Sequence, residues 1–192
     1  MEGSASYQQK VVYMKYKIVI GSLLTVFSTF TLANPSLPEQ LYNTVGGYGC
    51  SACHGKYAHG GGYVGGNIRG ATREQLDRAL KTEPTMLLLA KVLDENKRNT
   101  LVEYLTSLSE MKLLEWRIGE ASTTVVQVKA EQRIQFVLFN GTFDTLSLDL
   151  SPIGAVNAYE IEAYDTQAIT WIPKIGHYLL SFNNEKFIIN VN

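Results

Sequence analysis

The spacing of apolar side chains changes midway along this 192-residue chain, and that change limits the fold more than any other feature. Before residue 109 the apolar positions recur every three or four residues, as helices require. Leu76, Ala79 and Leu80 form one such stripe, with Thr72 and Gln75 in capping-box spacing and Pro84 closing the segment. Leu101, Tyr104, Leu105 and Leu108 form another, opened by Asp94 as N-cap. A shorter helical pattern runs from Glu39 to Val45 and stops at Gly46-Gly47. Beyond Trp116 the period falls to two: Ile134, Phe136 and Leu138; Leu146, Leu148 and Leu150; Tyr178, Leu180 and Phe182; Phe187, Ile189 and Val191. Turn signals at Asn140-Gly141, Pro152 to Gly154, Pro173 to Gly176 and Asn183-Asn184 separate these runs. The expected fold class is therefore α + β in separate domains, an all-α domain over residues 34–112 followed by a small all-β sandwich over 113–192. The boundary falls around residues 109–117.

The first 33 residues read as a targeting segment. Lys10, Lys15 and Lys17 precede an apolar stretch from Ile18 to Leu32, and Thr31-Leu32-Ala33 offers small residues for cleavage. Met14 is a plausible start, and the mature chain would begin at Asn34. An uncleaved anchor is the alternative, although about fifteen apolar residues are short for a span that needs about twenty. Export to the periplasm or an equivalent compartment is expected, with membrane attachment only if this segment remains. The net charge of -1, with no basic stripe, argues against nucleic acid as a partner.

Export alters how the two cysteines are read. Cys50 and Cys53 are the only ones in the chain, and they stand in the run Cys50-Ser51-Ala52-Cys53-His54. A thioredoxin-type bridge expects a strand before the pair and an open α/β domain after it, neither of which is visible. A structural zinc site wants four ligands, and no second Cys pair or close His pair follows. The remaining reading is haem c attachment: two thiols so spaced can add to the two vinyl groups of one haem, and the next residue presents imidazole to the iron. Cys50 and Cys53 are then the thioether positions and His54 the proximal ligand. Residues 55–70, dominated by glycine, are too costly in backbone entropy for a helix and read as a loop against a large flat surface.

With that motif in place, residues 37–109 resemble the class I cytochrome c family. The pieces that carry the resemblance are Cys50 to Gly55, then Val64-Gly65-Gly66-Asn67-Ile68-Arg69-Gly70, then Met86, then Leu101-Val102-Glu103-Tyr104-Leu105. The resemblance implies a monohaem electron carrier with low-spin iron, in which Met86 supplies the sixth ligand and raises the potential relative to bis-imidazole ligation. Met86 also runs into Leu87, Leu88 and Leu89, so core filling is its alternative role. His59 lies too close to His54 to reach the opposite face, and His177 would have to come from the second domain. Family members often have proline where this chain reads Gly65-Gly66, with a carbonyl there orienting the proximal imidazole. Arg69 and Arg73 are candidate partners of haem propionates, with a merely solvated role as the alternative, and Tyr104 corresponds to an aromatic that packs between the first and last helices against Gly46 or Gly47.

The second domain is similar in outline to a cupredoxin, with a strand ending at Asn140 and the run Pro173 to Tyr178 leading into Leu179 to Phe182. Blue copper needs two histidines and a cysteine, usually with an axial thioether. This chain has Asp144-Thr145-Leu146 and Phe182 at the corresponding places, and only His177 remains, so no copper is expected. Asn140-Gly141-Thr142 reads as a hairpin turn rather than a glycosylation site. No acid/base constellation of an enzyme is visible. The functional expectation is a one-electron carrier that passes electrons to redox partner proteins, with the β domain for docking or assembly. A haem-bearing subunit of a larger oxidoreductase complex is the alternative, and a haem-based sensor the second.

Overall fold

The computed structural model describes residues 36–62, 64–120, 122–156 and 158–192. The proposed signal segment lies outside the described residues. Among the described residues four α-helices come first: α1 (Leu37–Thr44), α2 (Ser51–His54), α3 (Arg73–Thr82) and α4 (Glu95–Ser109). Each longer helix starts where a side chain satisfies a free backbone N–H. Ser36 caps α1, Asp94 caps α4 by accepting from Lys97 N at 2.9 Å, and Thr72 and Gln75 form both arms of a capping box on α3. These helices enclose a core of Tyr42, Leu76, Leu80, Leu93, Leu101, Leu105 and Leu108. None of the helices among the described residues is long and apolar enough to cross a membrane.

Eight strands follow among the same described residues: β1 (Lys112–Ile118), β2 (Thr123–Val128), β3 (Ile134–Asn140), β4 (Leu146–Leu148), β5 (Tyr159–Ile161), β6 (Thr166–Trp171), β7 (Gly176–Phe182) and β8 (Glu185–Val191). They form two three-stranded sheets, ordered β1-β3-β6 and β2-β8-β7, and a two-stranded β4-β5 pair. The β1/β3 and β2/β8 pairs are parallel, and the others antiparallel. Alternating residues of both larger sheets meet in one core, in which the Phe187 ring of β8 lies 5.0 Å from Phe136 and 5.6 Å from Trp116 on the opposite sheet. The region is sandwich-like.

Three details differ from the sequence expectation. Strand β1 begins at Lys112, so Trp116 lies inside the β region. The β-branched run Thr123–Val128 and the strands β5 and β6 add to the runs visible by alternation. Asn140-Gly141 does not make a hairpin, because β3 and β4 belong to different sheets. The Asn140 side chain, fully buried, instead donates to the carbonyls of Asp144, Ile161 and Glu162 and accepts from Thr142 N at 2.9 Å. It ties a crossing between layers, where a hairpin would have needed two adjacent strands.

Strand β3 is buried along nearly its whole length. Ile134, Phe136 and Leu138 face the sandwich core, while Gln135 points the other way, to the loops of the helical region. Lys56 and Asp165 add an ion pair at 3.5 Å between the same two regions, a weak contact given its exposure. Residues 36–192 belong to one compact unit, with one hydrophobic core in each region.

Candidate functional site

The Cys50–His54 motif forms one turn of helix: His54 N donates to Cys50 O at 2.9 Å, and Gly55, at φ +79°, turns the chain out of it. The loop 55–70 then folds back over the motif. Its glycines allow the approach, since a Cβ on Gly65 would lie 2.5 Å from His54 Nδ1 and one on Gly62 would run into Cys53 O. No other residue fits there without displacing the motif.

The fold-back places the Gly66 carbonyl 2.9 Å from His54 Nδ1. A carbonyl only accepts, so Nδ1 carries the proton and Nε2 is the nitrogen left for a metal. This is the kind of outer contact that fixes the tautomer and ring orientation of a ligating histidine. Anchors on both sides hold the loop: Gly65 N donates to Cys53 O at 2.7 Å, Ile68 N to Ala58 O at 3.0 Å and Gly70 N to Leu105 O at 2.8 Å.

Between the motif, this loop, α3 and α4 lies a mainly apolar cavity of about 570 Å³, lined among others by Cys50, Cys53, His54, Val64, Met86 and Leu101. That volume lies within the range of about 300–1,000 Å³ usual for ligand and cofactor sites. Two thiols, an imidazole and a thioether, drawn from positions 36 residues apart in sequence between Cys50 and Met86, therefore line the same space. The soft sulfur and imidazole donors suit iron in a haem, and no cluster of three or more His, Cys, Asp or Glu is gathered for a metal among the described residues. The donor set and the apolar walls fit a haem bound through the motif.

Both cysteines are free, and burial pushes the Cys50 thiol up to about 11. A nucleophilic dithiol of the thioredoxin type needs the opposite shift. Met86 is half-buried, packs on the helical core and lines the cavity just before a short 3₁₀ turn, Leu87–Leu89. Leu88 is exposed, so the leucine run does not simply continue the core.

The candidate arginines make protein contacts. Arg69 lines the cavity, yet its Nη1 donates to Gln135 Oε1 at 2.6 Å, and its Nη2 to the carbonyls of Leu108 and Met111. Arg73 pairs with Asp77 at 2.9 Å and bonds Asn99. Both terminal nitrogens of Arg69 are thus engaged by protein acceptors. The same lone-arginine signal serves either purpose, and only partners remote in sequence distinguish them.

His59 does not line the cavity, and its buried Nδ1 has no partner among the described residues. Burial, with Arg69 and Arg117 near, lowers its pKa. His177 lies on β7 and contacts Asn190 Oδ1 at 2.7 Å across the sheet.

Sequence reasoning missed Tyr42. It is fully buried, lines the cavity and donates its hydroxyl to Gly55 O at 2.8 Å, which ties α1 to the residue that ends the motif. Burial raises its pKa. Its ring lies 5.4 Å from Tyr104, so Tyr104 meets α1 through an aromatic pair. The Gly46 position instead approaches Leu89, whose Cδ2 would clash with an added Cβ. The signal for Tyr42 was its place on the short helical pattern before the motif.

No family model matches the chain, and no curated protein matches it. Among solved structures, a point mutant of amicyanin in its oxidized form is similar at 9% identity and a TM-score of 0.31, over 43% of this chain and 82% of that one. A likeness of that size does not establish a common fold.

Proposed function

We propose that the helical region is a class I type cytochrome c module holding one covalent haem c, and that the protein is an exported one-electron carrier. The observation that carries this reading is the convergence of Cys50, Cys53, His54 and Met86 on one apolar cavity, with His54 Nδ1 engaged by Gly66 O at 2.9 Å. Cys50 and Cys53 would hold the haem through thioethers, and His54 and Met86 would hold its iron. Once bound, the haem supplies a ferric/ferrous couple. The rest is the work of this chain. Gly66 keeps the His54 proton on Nδ1, so that Nε2 stays a neutral donor. Leu76, Leu101 and Leu105 exclude water and keep the local dielectric low. The thioether of Met86 favours the ferrous state.

Export is read from the basic and apolar pattern of residues 10–33, and the electron partners are other redox proteins. The sandwich-like region, read as a copper-free relative of the cupredoxins, supports the haem module from one side.

The test is a visible and near-infrared spectrum, oxidised and reduced, of protein made in a host with haem-attachment machinery. Pigment that survives denaturation, a low-spin spectrum and a sulfur-to-iron charge-transfer band are expected, and Met86→Ala removes that band. Protein without covalent pigment overturns the reading. An unchanged band in Met86→Ala overturns the axial assignment and favours a sensor with a displaceable ligand.

A further inference from the structure

We infer that Arg69 is a positioning residue for His54, and that it locks the loop carrying Gly66 onto the central strand of the β region, which thereby helps to set the basicity of the imidazole. The redox part of this inference rests on the haem reading above.

The need for such a lock follows from Gly65 and Gly66. Two adjacent glycines give the backbone its widest freedom, at the one place where a carbonyl must stay within hydrogen-bond reach of His54. On its Cβ side Gly66 meets no neighbour within 4 Å. Its position is therefore set by the anchors on either side. Upstream, Gly65 N is bonded to Cys53 O at 2.7 Å. Downstream, Ile68 N is bonded to Ala58 O at 3.0 Å and Gly70 N to Leu105 O at 2.8 Å, and the Arg69 side chain between them adds contacts of its own.

Arg69 reaches three acceptors outside the loop. Leu108 O, which also accepts from Met111 N at 3.2 Å, belongs to the last turn of α4, and a cation suits that end of a helix. Met111 O, at 2.9 Å, lies in the link between α4 and β1. Gln135 Oε1, at 2.6 Å, comes from the middle strand of its sheet, where Gln135 is only 7% exposed. One guanidinium fork thus joins the loop, the final helix and the sandwich. Lysine, a single ammonium on a flexible stem, cannot hold all three in one geometry.

A looser Gly66 weakens the Nδ1–H···O bond, makes His54 a poorer donor to ferric iron and raises the reduction potential. Loss of a positive charge would also move the potential, so the test keeps the charge. The full chain is made with pigment attached, as Arg69→Lys, as Gln135→Met and as the pair. Gln135→Met keeps the bulk of the side chain and removes the amide, and with it the Oε1 acceptor, which covers the case in which Arg69→Lys fails to fold.

Each single variant is expected to raise the potential and to speed hydrogen exchange of the amides from Gly66 to Gly70 several-fold. The pair is expected to shift less than the sum of the singles, because both remove one contact. Potentials unchanged in both single variants overturn the positioning role. Unchanged exchange overturns the lock itself, with or without pigment. A wild-type chain that holds no covalent pigment overturns the haem reading and the redox half together, while its exchange data still decide the lock.

Discussion

The two regions bury their apolar residues in different ways. In the β region Trp116, Phe136 and Phe187 stack across the two sheets at 5.0 and 5.6 Å and close the core with their own bulk. In the helical region the buried core is mostly leucine, and Leu76, Leu89, Leu101 and Leu105 help to line a cavity of about 570 Å³ beside the Cys50–His54 motif. Close packing is what stabilises a core, and loss of contacts around a space is costly. The β region can thus be stable through its own side chains, whereas the helical region gains its full packing through the proposed haem. On the haem proposal, the contrast gives chemistry to one region and rigidity to the other.

The largest expected effect comes from Cys50→Ser with Cys53→Ser. Covalent pigment is lost entirely, and the thermal midpoint followed by helical circular dichroism falls much further than the midpoint followed by tryptophan fluorescence. Both tryptophans, Trp116 and Trp171, lie in β strands, so fluorescence follows that region. Equal falls in the two signals would break the comparison and make the molecule a single cooperative unit.

Phe187→Ala tests the other side. It removes a fully buried ring between Trp116 and Phe136, and denaturant unfolding read by fluorescence should lose about 3–5 kcal/mol. A loss under about 1 kcal/mol would mean that the sandwich core is not close-packed.

The smallest effect concerns acid stability of the helical region. Partial burial pushes the Asp77 carboxyl up, but hydrogen bonds from Arg98 and Arg73, at 2.9 Å each, outweigh it and hold the pKa below the ordinary range. A depressed folded pKa contributes stability that is present above the unfolded carboxyl pKa and lost as pH falls through the folded value. Asp77→Asn should accordingly be less stable than wild type near neutrality, with the gap closing in acid, as followed by circular dichroism against pH. A gap independent of pH would show that Asp77 acts by packing alone.

Local chemistry made much of this molecule legible. The capping box of Thr72 and Gln75 and the Asp94 cap are written in residues three apart, and α3 and α4 start where those caps stand. Alternation marked β3, β7 and β8 because their inward residues face one core. Strand β1 was harder to see: Leu114, Trp116 and Ile118 alternate, but the run follows directly on helical sequence. The parallel pairing of β1 with β3, and of β2 with β8, leaves no short-range mark at all, since it depends on long connections.

The same division holds for the candidate site. Cys50, Cys53 and His54 lie within five residues, so their spacing alone suggests what they can attach, and the glycines after them state that something must approach closely. The partners of Arg69 could not be read in that way. A guanidinium after a glycine loop suits a cofactor carboxylate or a protein carbonyl equally well, and Gln135 lies 66 residues further along. Covalent chemistry and helix caps act over a few bonds and are set by neighbouring residues. Which loop is held against which strand depends on distant segments meeting, and here that meeting joins Arg69 to Leu108, Met111 and Gln135.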